Sequence, residues 1–176
     1  MGTLIQLEES MAESPEKRLR ELGIALPPPP KPVANYMSVV EVGNLVFTSG
    51  AGPLKDGQPV MQGRVGEQVT LEDGYQAAKL VMLNLLSALR AHLGTLNRIE
   101  RIVKVLGFIA SAPDFTKQPA VLNGASDLLV AIFGARGRHA RSAIGTSVLP
   151  FGIPVEVEMI VKVRRGRARA AKTPKG

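Results

Sequence analysis

Two β-rich, apolar segments near the end of the chain, at about 140–148 and 154–163, constrain the fold and its chemistry most. Arg141 lies in the first segment and Glu156 in the second. A guanidinium is always charged and needs an anion when it lies beside buried strand residues. Because the chain has no cysteine and two histidines, we expect chemistry on an anionic substrate to depend on Arg141 and Glu156.

The composition indicates one domain of 176 residues with an aliphatic core, since 45% of the residues are apolar and 4% are aromatic. His92 and His139 lie too far apart to supply metal-ligand spacing, so we expect no metal. The first 21 residues contain acids and no signal-peptide core, and no segment approaches the length of a membrane span. We therefore expect a cytoplasmic protein without membrane contact.

The formal net charge of +7 is concentrated at the end of the chain. Seven basic residues fall between Lys162 and Lys175 without an acid, which leaves 15 basic and 15 acidic residues in 1–161. Residues 164–176 are predicted to form a basic, disordered tail. A weak, salt-sensitive contact with RNA through this tail is the alternative.

Residues 1–32 form a predicted N-terminal extension. Ser14-Pro15-Glu16 is typical of a helix start, and Gly23 ends this short helix. Four consecutive prolines at 27–30 then predict a stiff polyproline II spacer. The main domain is expected to span residues 33–163.

The main domain is predicted to be α+β, with two helices on one face of a mixed β-sheet in the order ββαβαββ. Glycines between residues 50 and 66 indicate a loop with at most a short strand near Val60. The run around 102–109 is apolar enough for a strand covered on both faces. The predicted elements are strands 39–42 and 45–48 joined at Gly43-Asn44, helix 70–94, strand 102–109, helix 119–134, and strands 140–148 and 154–163.

If the last two strands formed a simple hairpin, Arg141 and Glu156 would lie roughly 15 Å apart. A shared site therefore requires that the last strand inserts elsewhere in the sheet, or that another subunit completes the site.

Four motifs are spread over residues 33–163: 42–50 (VGNLVFTSG), 140–142 (ARS), Leu149-Pro150 and 155–158 (VEVE). Together with Tyr36, Asn123 and the element order, they resemble the reactive intermediate deaminase family, RidA/YjgF. The resemblance implies a chorismate-mutase-like fold, a homotrimer with sites between subunits, and no cofactor. It also implies hydrolysis of small 2-imino acids or their enamine tautomers to 2-keto acids and ammonia.

The resemblance implies a role for each matching residue. Arg141 would bind the substrate carboxylate through two parallel hydrogen bonds. Glu156 would position and partly deprotonate water, together with the backbone carbonyl of Ala143. The residues expected to line the cleft are Tyr36, Ser49, Gly50 and Asn123.

Each assignment has a structural alternative. Arg141 could form an ion pair with Glu156 or Glu158, and Glu158 shares a strand face with Glu156 and competes for its role. Asn123 could be a solvated helix residue, and Tyr36 an ordinary packing aromatic. His139 is disfavoured as a general base, because neighbouring positive charge lowers its pKa and because it is expected to lie away from the partners of Arg141.

Three positions depart from the family pattern: Ala51 replaces a glutamine, Ala143 a cysteine and Gly145 an acid. They predict a smaller, less polar site floor and a divergent subgroup. Imine or enamine hydrolysis is the leading hypothesis. The alternatives are a non-catalytic protein that binds small carboxylic acids, and an RNA-binding or RNA-cleaving protein.

Overall fold

A computed structural model describes residues 14–29 and 35–164. Apart from Arg164, the predicted tail lies outside these residues, as does part of the proline spacer. The helices and strands are α1 (Pro15–Glu21), β1 (Val39–Val42), β2 (Leu45–Thr48), β3 (Leu54–Lys55), β4 (Gln58–Pro59), α2 (Leu71–Leu93), β5 (Ile99–Ala110), α3 (Gln118–Phe133), β6 (Ala140–Thr146) and β7 (Val155–Val163).

Five strands form one mixed sheet in the order β1-β2-β7-β5-β6. Among these five described strands, only β5 and β6 run parallel, and α3 supplies the crossover that a parallel pair requires. The predicted hairpin at Gly43-Asn44 joins β1 to β2, and Gly43 adopts a positive φ of 66°. A small second hairpin, β3–β4, lies where the sequence predicted mainly loop.

Helices α2 and α3 cover one face of the sheet. Helix α2 begins at the predicted cap, where Thr70 accepts a hydrogen bond from the Asp73 amide, and ends at Gly94 in a left-handed conformation. The two helices approach closely at Gly124, because a Cβ there would collide with the Tyr75 carbonyl. Many side chains between the helices and the sheet are fully buried, and among them are Val105, Ile109, Leu122, Leu129, Val157 and Val161.

No described helix packs on the opposite face of the sheet, which is called the open face. Val40, Phe47 and Ile144 lie on it with 42%, 39% and 47% of their surface exposed. Leu106 and Phe108 of β5 are half-buried there. The expectation that this strand is covered on both faces is therefore wrong for residues 14–29 and 35–164 of one subunit, whose helices cover one face only.

Helix α1 packs against the main body of the protein. Leu19 is 3% exposed within the core, and the Glu16 carboxylate accepts a 3.0 Å hydrogen bond from the Leu96 amide. The Ser87 hydroxyl binds the Pro27 carbonyl at 2.5 Å. The described part of the extension is thus attached to the body, and a domain boundary at residue 33 stays a prediction. No described helix combines the length and apolarity needed to cross a bilayer.

Candidate active site

The last strand inserts into the sheet instead of pairing with β6. Strand β7 lies between β2 and β5, and β5 separates it from β6. Across the sheet, Arg141 of β6 pairs with Val105 of β5, which pairs with Met159 of β7. Glu156 of β7 pairs with Phe108 of β5, which pairs with Ile144 of β6. Two strand spacings and three residues separate Arg141 from Glu156, which corresponds to about 14 Å between their backbones.

Arg141 and Glu156 also point to opposite faces of the sheet. Arg141 pairs with fully buried Val105 on the covered face, and Glu156 pairs with Phe108 on the open face. Among the described residues, no carboxylate forms an ion pair with Arg141. The alternative of an ion pair with Glu156 or Glu158 is therefore wrong within one subunit.

Two neutral side chains of α3 hold the guanidinium of Arg141. Its Nη1 atom donates to Asn123 Oδ1 at 2.8 Å and to Ser126 Oγ at 3.1 Å. Asn123 and Ser126 are three positions apart, so they lie on the same face of the helix. Asn123 is exposed, yet it is bound to Arg141 and is not simply a solvated residue.

The two bonds leave one edge of the guanidinium available. Both hydrogens of Nη1 are directed at Asn123 and Ser126, while Nε and Nη2 make no hydrogen bond with the described residues. This edge presents two parallel donors, which is the geometry that a carboxylate binds. The Arg141 cluster, defined as Arg141, Asn123, Ser126 and His139, can therefore receive an anion.

Ser126, which the sequence did not single out, and His139, which is disfavoured there as a general base, lie beside Arg141. His139 Nε2 lies 3.1 Å from Ser126 Oγ, and His139 Nδ1 lies 2.6 Å from the Gly137 carbonyl. The expectation that His139 lies away from the partners of Arg141 is wrong, because both side chains contact Ser126 Oγ. Burial lowers the pKa of His139, the bond to Gly137 opposes this effect, and nearby Arg141 lowers the pKa further.

Glu156 belongs to a second group of predicted residues, the Glu156 cluster of Tyr36, Ser49, Gly50 and Glu156. A Cβ on Gly50 would collide with Glu156 Oε1, so a larger residue would displace the carboxylate. The Ser49 hydroxyl donates to the Met37 carbonyl at 2.7 Å, which holds the segment containing Tyr36 beside the end of β2. Tyr36 is 48% exposed and packs into no core there.

The Glu156 carboxylate makes no hydrogen bond or ion pair with any described residue. Burial raises its pKa, and the neighbouring carboxylate of Glu158 on the same face raises it further. A half-buried carboxylate without a partner is costly in a folded subunit and is available to bind water.

The departures from the family pattern are partly offset by a side chain from α3. The Gln118 amide nitrogen lies 2.8 Å from the position that a Cβ on residue 145 would occupy. It donates to the Phe115 carbonyl at 2.6 Å and to Ser111 Oγ at 3.3 Å. A polar group therefore lies beside Gly145, although Ala143 itself packs against the core.

Two surface hollows, one beside Gln62 and Leu149 and the other beside Arg18 and Phe133, contain neither Arg141 nor Glu156. Within residues 14–29 and 35–164, no group of three His, Asp or Glu side chains is arranged to hold a metal ion. The candidate site thus consists of two separate halves, one on each face of the sheet.

Comparisons with known proteins agree on one family. Residues 16–162 match the family model of the YjgF/chorismate mutase-like proteins, whose description also names an endoribonuclease as a candidate activity. Protein TCP17 of Trypanosoma cruzi is 43% identical over 146 residues, which cover 82% of this chain and 91% of that protein. A 2-iminobutanoate/2-iminopropanoate deaminase of Dermatophagoides farinae is 32% identical over 142 residues, covering 80% and 94% respectively.

Solved structures show the same fold. A crystal structure of protein Atu1372 from Agrobacterium tumefaciens, of unknown function, superposes with a TM-score of 0.78 at 39% identity, covering 92% of this chain and 99% of that chain. The YjgF gene product of E. coli has a TM-score of 0.58 at 23% identity and supports the fold alone. The chain therefore belongs to the RidA/YjgF family and has its chorismate-mutase-like α+β fold.

Proposed function

We propose that the protein is a cofactor-independent deaminase that hydrolyses small 2-imino acids and their enamine tautomers to 2-keto acids and ammonia. The observation that carries this proposal is the guanidinium of Arg141, held by neutral Asn123 and Ser126 with one two-donor edge available. A 2-imino acid offers a carboxylate for that edge, with the reactive carbon directly beside it. The relative from Dermatophagoides farinae, which is named as such a deaminase, supports the same reaction.

Assembly as a homotrimer completes the site in this proposal. The open face exposes Val40, Phe47 and Ile144, and a sheet face rich in apolar side chains is stabilised by burial against another layer. A second copy of the chain can bring its Glu156 cluster to the Arg141 cluster of its neighbour. Each site then takes its carboxylate-binding group from one subunit and its water-binding group from the next.

Arg141 fixes the substrate, and Glu156 supplies the base. Water bound to the Glu156 carboxylate attacks C2 of the imine while the carboxylate accepts a proton from it. With a protonated imine this addition gives a neutral carbinolamine. Glu156 returns its proton to the amino group, the C–N bond breaks as ammonia leaves, and the remaining hydroxyl releases its proton to water as the 2-keto acid forms. A raised pKa makes Glu156 a stronger base in its ionised form, and iminium carbons react readily with water, so no stronger nucleophile is required.

Turnover of imines generated in place by an amino-acid oxidase tests the proposal. Arg141→Ala should lower kcat/KM by about 100-fold or more, since it removes a charge-assisted, two-donor contact with the substrate. Arg138→Ala is the matched control, because it removes the same charge from an exposed position three residues earlier.

The result separates this proposal from its main alternative. Unchanged turnover in Arg141→Ala would contradict the deaminase mechanism. If the wild-type protein binds 2-oxobutanoate in calorimetry and does not accelerate imine hydrolysis, the result supports a non-catalytic carboxylate-binding function in place of the deaminase function.

A further inference from the structure

We propose that Ser126 and His139 are positioning residues, which orient the Arg141 guanidinium so that its Nε–Nη2 edge faces the substrate carboxylate. This inference deepens the deaminase function proposed above and rests on it. Neither residue is expected to touch the substrate.

The hydrogen-bond chain has a fixed direction. The Gly137 carbonyl can only accept, so His139 Nδ1, 2.6 Å away, carries the ring hydrogen of the neutral imidazole. Nε2 is then an acceptor, and the Ser126 hydroxyl donates its hydrogen to it across 3.1 Å. The lone pairs of Ser126 Oγ are left to accept from Arg141 Nη1, also at 3.1 Å.

His139 prevents a competing arrangement of the serine. A serine within a helix can donate its hydroxyl hydrogen to the carbonyl four residues earlier, which for Ser126 is that of Leu122. The acceptor on His139 draws this hydrogen away from the helix and turns the oxygen toward strand β6. Asn123 binds the second hydrogen of the same Nη1 atom at 2.8 Å, so the plane of the guanidinium is held at two points.

The chain of neutral groups also preserves the charge of the guanidinium. A carboxylate in the place of Ser126 would compete directly with the substrate for Arg141. Two neutral acceptors orient the group without neutralising it, and burial keeps His139 predominantly uncharged by lowering its pKa. The arrangement therefore favours an anionic ligand over an internal ion pair.

Two pairs of variants test the positioning role, with imine turnover and 2-oxobutanoate binding as readouts. Ser126→Ala should raise KM for the imine and Kd for 2-oxobutanoate by about tenfold while kcat changes less than about twofold, because a bond to a charged group is lost. Ser126→Thr keeps the hydroxyl and should stay within about threefold of the wild type. His139→Gln, which retains a hydrogen-bond acceptor, should likewise bind 2-oxobutanoate more tightly than His139→Leu.

Nuclear magnetic resonance of ¹⁵N-labelled histidine gives a direct spectroscopic check. The chain has two histidines, so a His92→Gln sample assigns the His139 signals. We expect His139 to carry its proton on Nδ1, and Ser126→Ala to shift the Nε2 signal. A proton on Nε2, or an unchanged KM and Kd in Ser126→Ala, would overturn the inference.

Different results would contradict the positioning role and the deaminase function. If Ser126→Ala weakens 2-oxobutanoate binding while the wild-type protein hydrolyses no imine, the positioning role is supported and the deaminase function is contradicted. If the wild-type protein hydrolyses imines and Ser126→Ala leaves KM unchanged, the function stands and the positioning role is contradicted.

Discussion

The two faces of the central sheet are made from the same strands. They differ in how completely one subunit buries their side chains and supplies hydrogen-bond partners. On the covered face, Val105 and Val157 are fully buried and Arg141 has two hydrogen-bond partners on α3. On the open face, Ile144 is 47% exposed and Glu156 has no partner among the described residues. One face is therefore completed by folding, and we infer that the other is completed by assembly.

The largest expected effect is on the free energy of unfolding, which should respond differently to substitutions on the two faces. Met159→Ala removes a side chain that is 2% exposed on the covered face and should lower the free energy of unfolding by about 2–5 kcal/mol. Ile160→Ala, its neighbour on the open face, should cost less in the isolated subunit. Its cost should grow with protein concentration, because assembly buries that face.

Denaturant unfolding at several protein concentrations measures both effects. Equal losses that are independent of concentration would contradict the difference between the faces.

A charge on the open face should break assembly without unfolding the subunit. Ile144→Glu puts a carboxylate on a surface that the proposed trimer buries, and burying an unpaired charge is strongly unfavourable. Analytical ultracentrifugation should show monomers with an unchanged circular dichroism spectrum. Leu22→Glu is the control, since it adds an acid at a 39% exposed position just after α1.

That control should remain trimeric. If Ile144→Glu assembles as well as the wild type, the open face is not the subunit interface.

The pKa of Glu156 gives a smaller, pH-dependent effect on stability. Because burial and Glu158 raise its pKa in the folded protein, the folded state holds the proton more tightly than the unfolded chain. Its contribution to stability is fully present below the unfolded pKa, near about 4.3, and is lost as the pH rises through the raised folded value.

Glu156→Gln should therefore match the wild type in Tm at acid pH and exceed it at pH 7 to 8. Thermal unfolding scans across this range measure the difference. A Gln variant that is less stable than the wild type at pH 8 would contradict the unpartnered state of the carboxylate.

The smallest expected effect concerns the basic tail. Removing residues 165–176 deletes five basic side chains and should leave imine turnover unchanged. If the tail contacts RNA, its removal weakens RNA affinity and reduces the salt dependence by about 0.7 in log–log slope per lost phosphate contact. RNA affinity that is unaltered by the deletion would remove the physical basis for this contact.

Local patterns predicted the elements of the fold well, but not the way they pair. The helix from Thr70 to Gly94 and the turn at Gly43-Asn44 follow from capping and backbone preferences, which depend on a few neighbouring residues. The insertion of β7 between β2 and β5 depends on contacts far apart in the sequence, so no short pattern reveals it.

The same distinction applies to the candidate site. The family motifs identified Arg141, Asn123 and Glu156, and the structure places the first two in contact. Ser126 was missed although its spacing from Asn123 puts both on one helix face, a signal that could have found it. The separation of Arg141 from Glu156 onto opposite faces required the strand register.

Mixing two inactive variants tests the central claim that each site joins Arg141 of one subunit to Glu156 of the next. Arg141→Ala and Glu156→Gln subunits should each be inactive alone, and equal amounts are refolded together to form mixed trimers. Random assembly leaves about one interface in four with both groups intact, so about a quarter of the wild-type imine turnover should return. Activity no higher than that of the two separate variants would contradict a site shared between subunits.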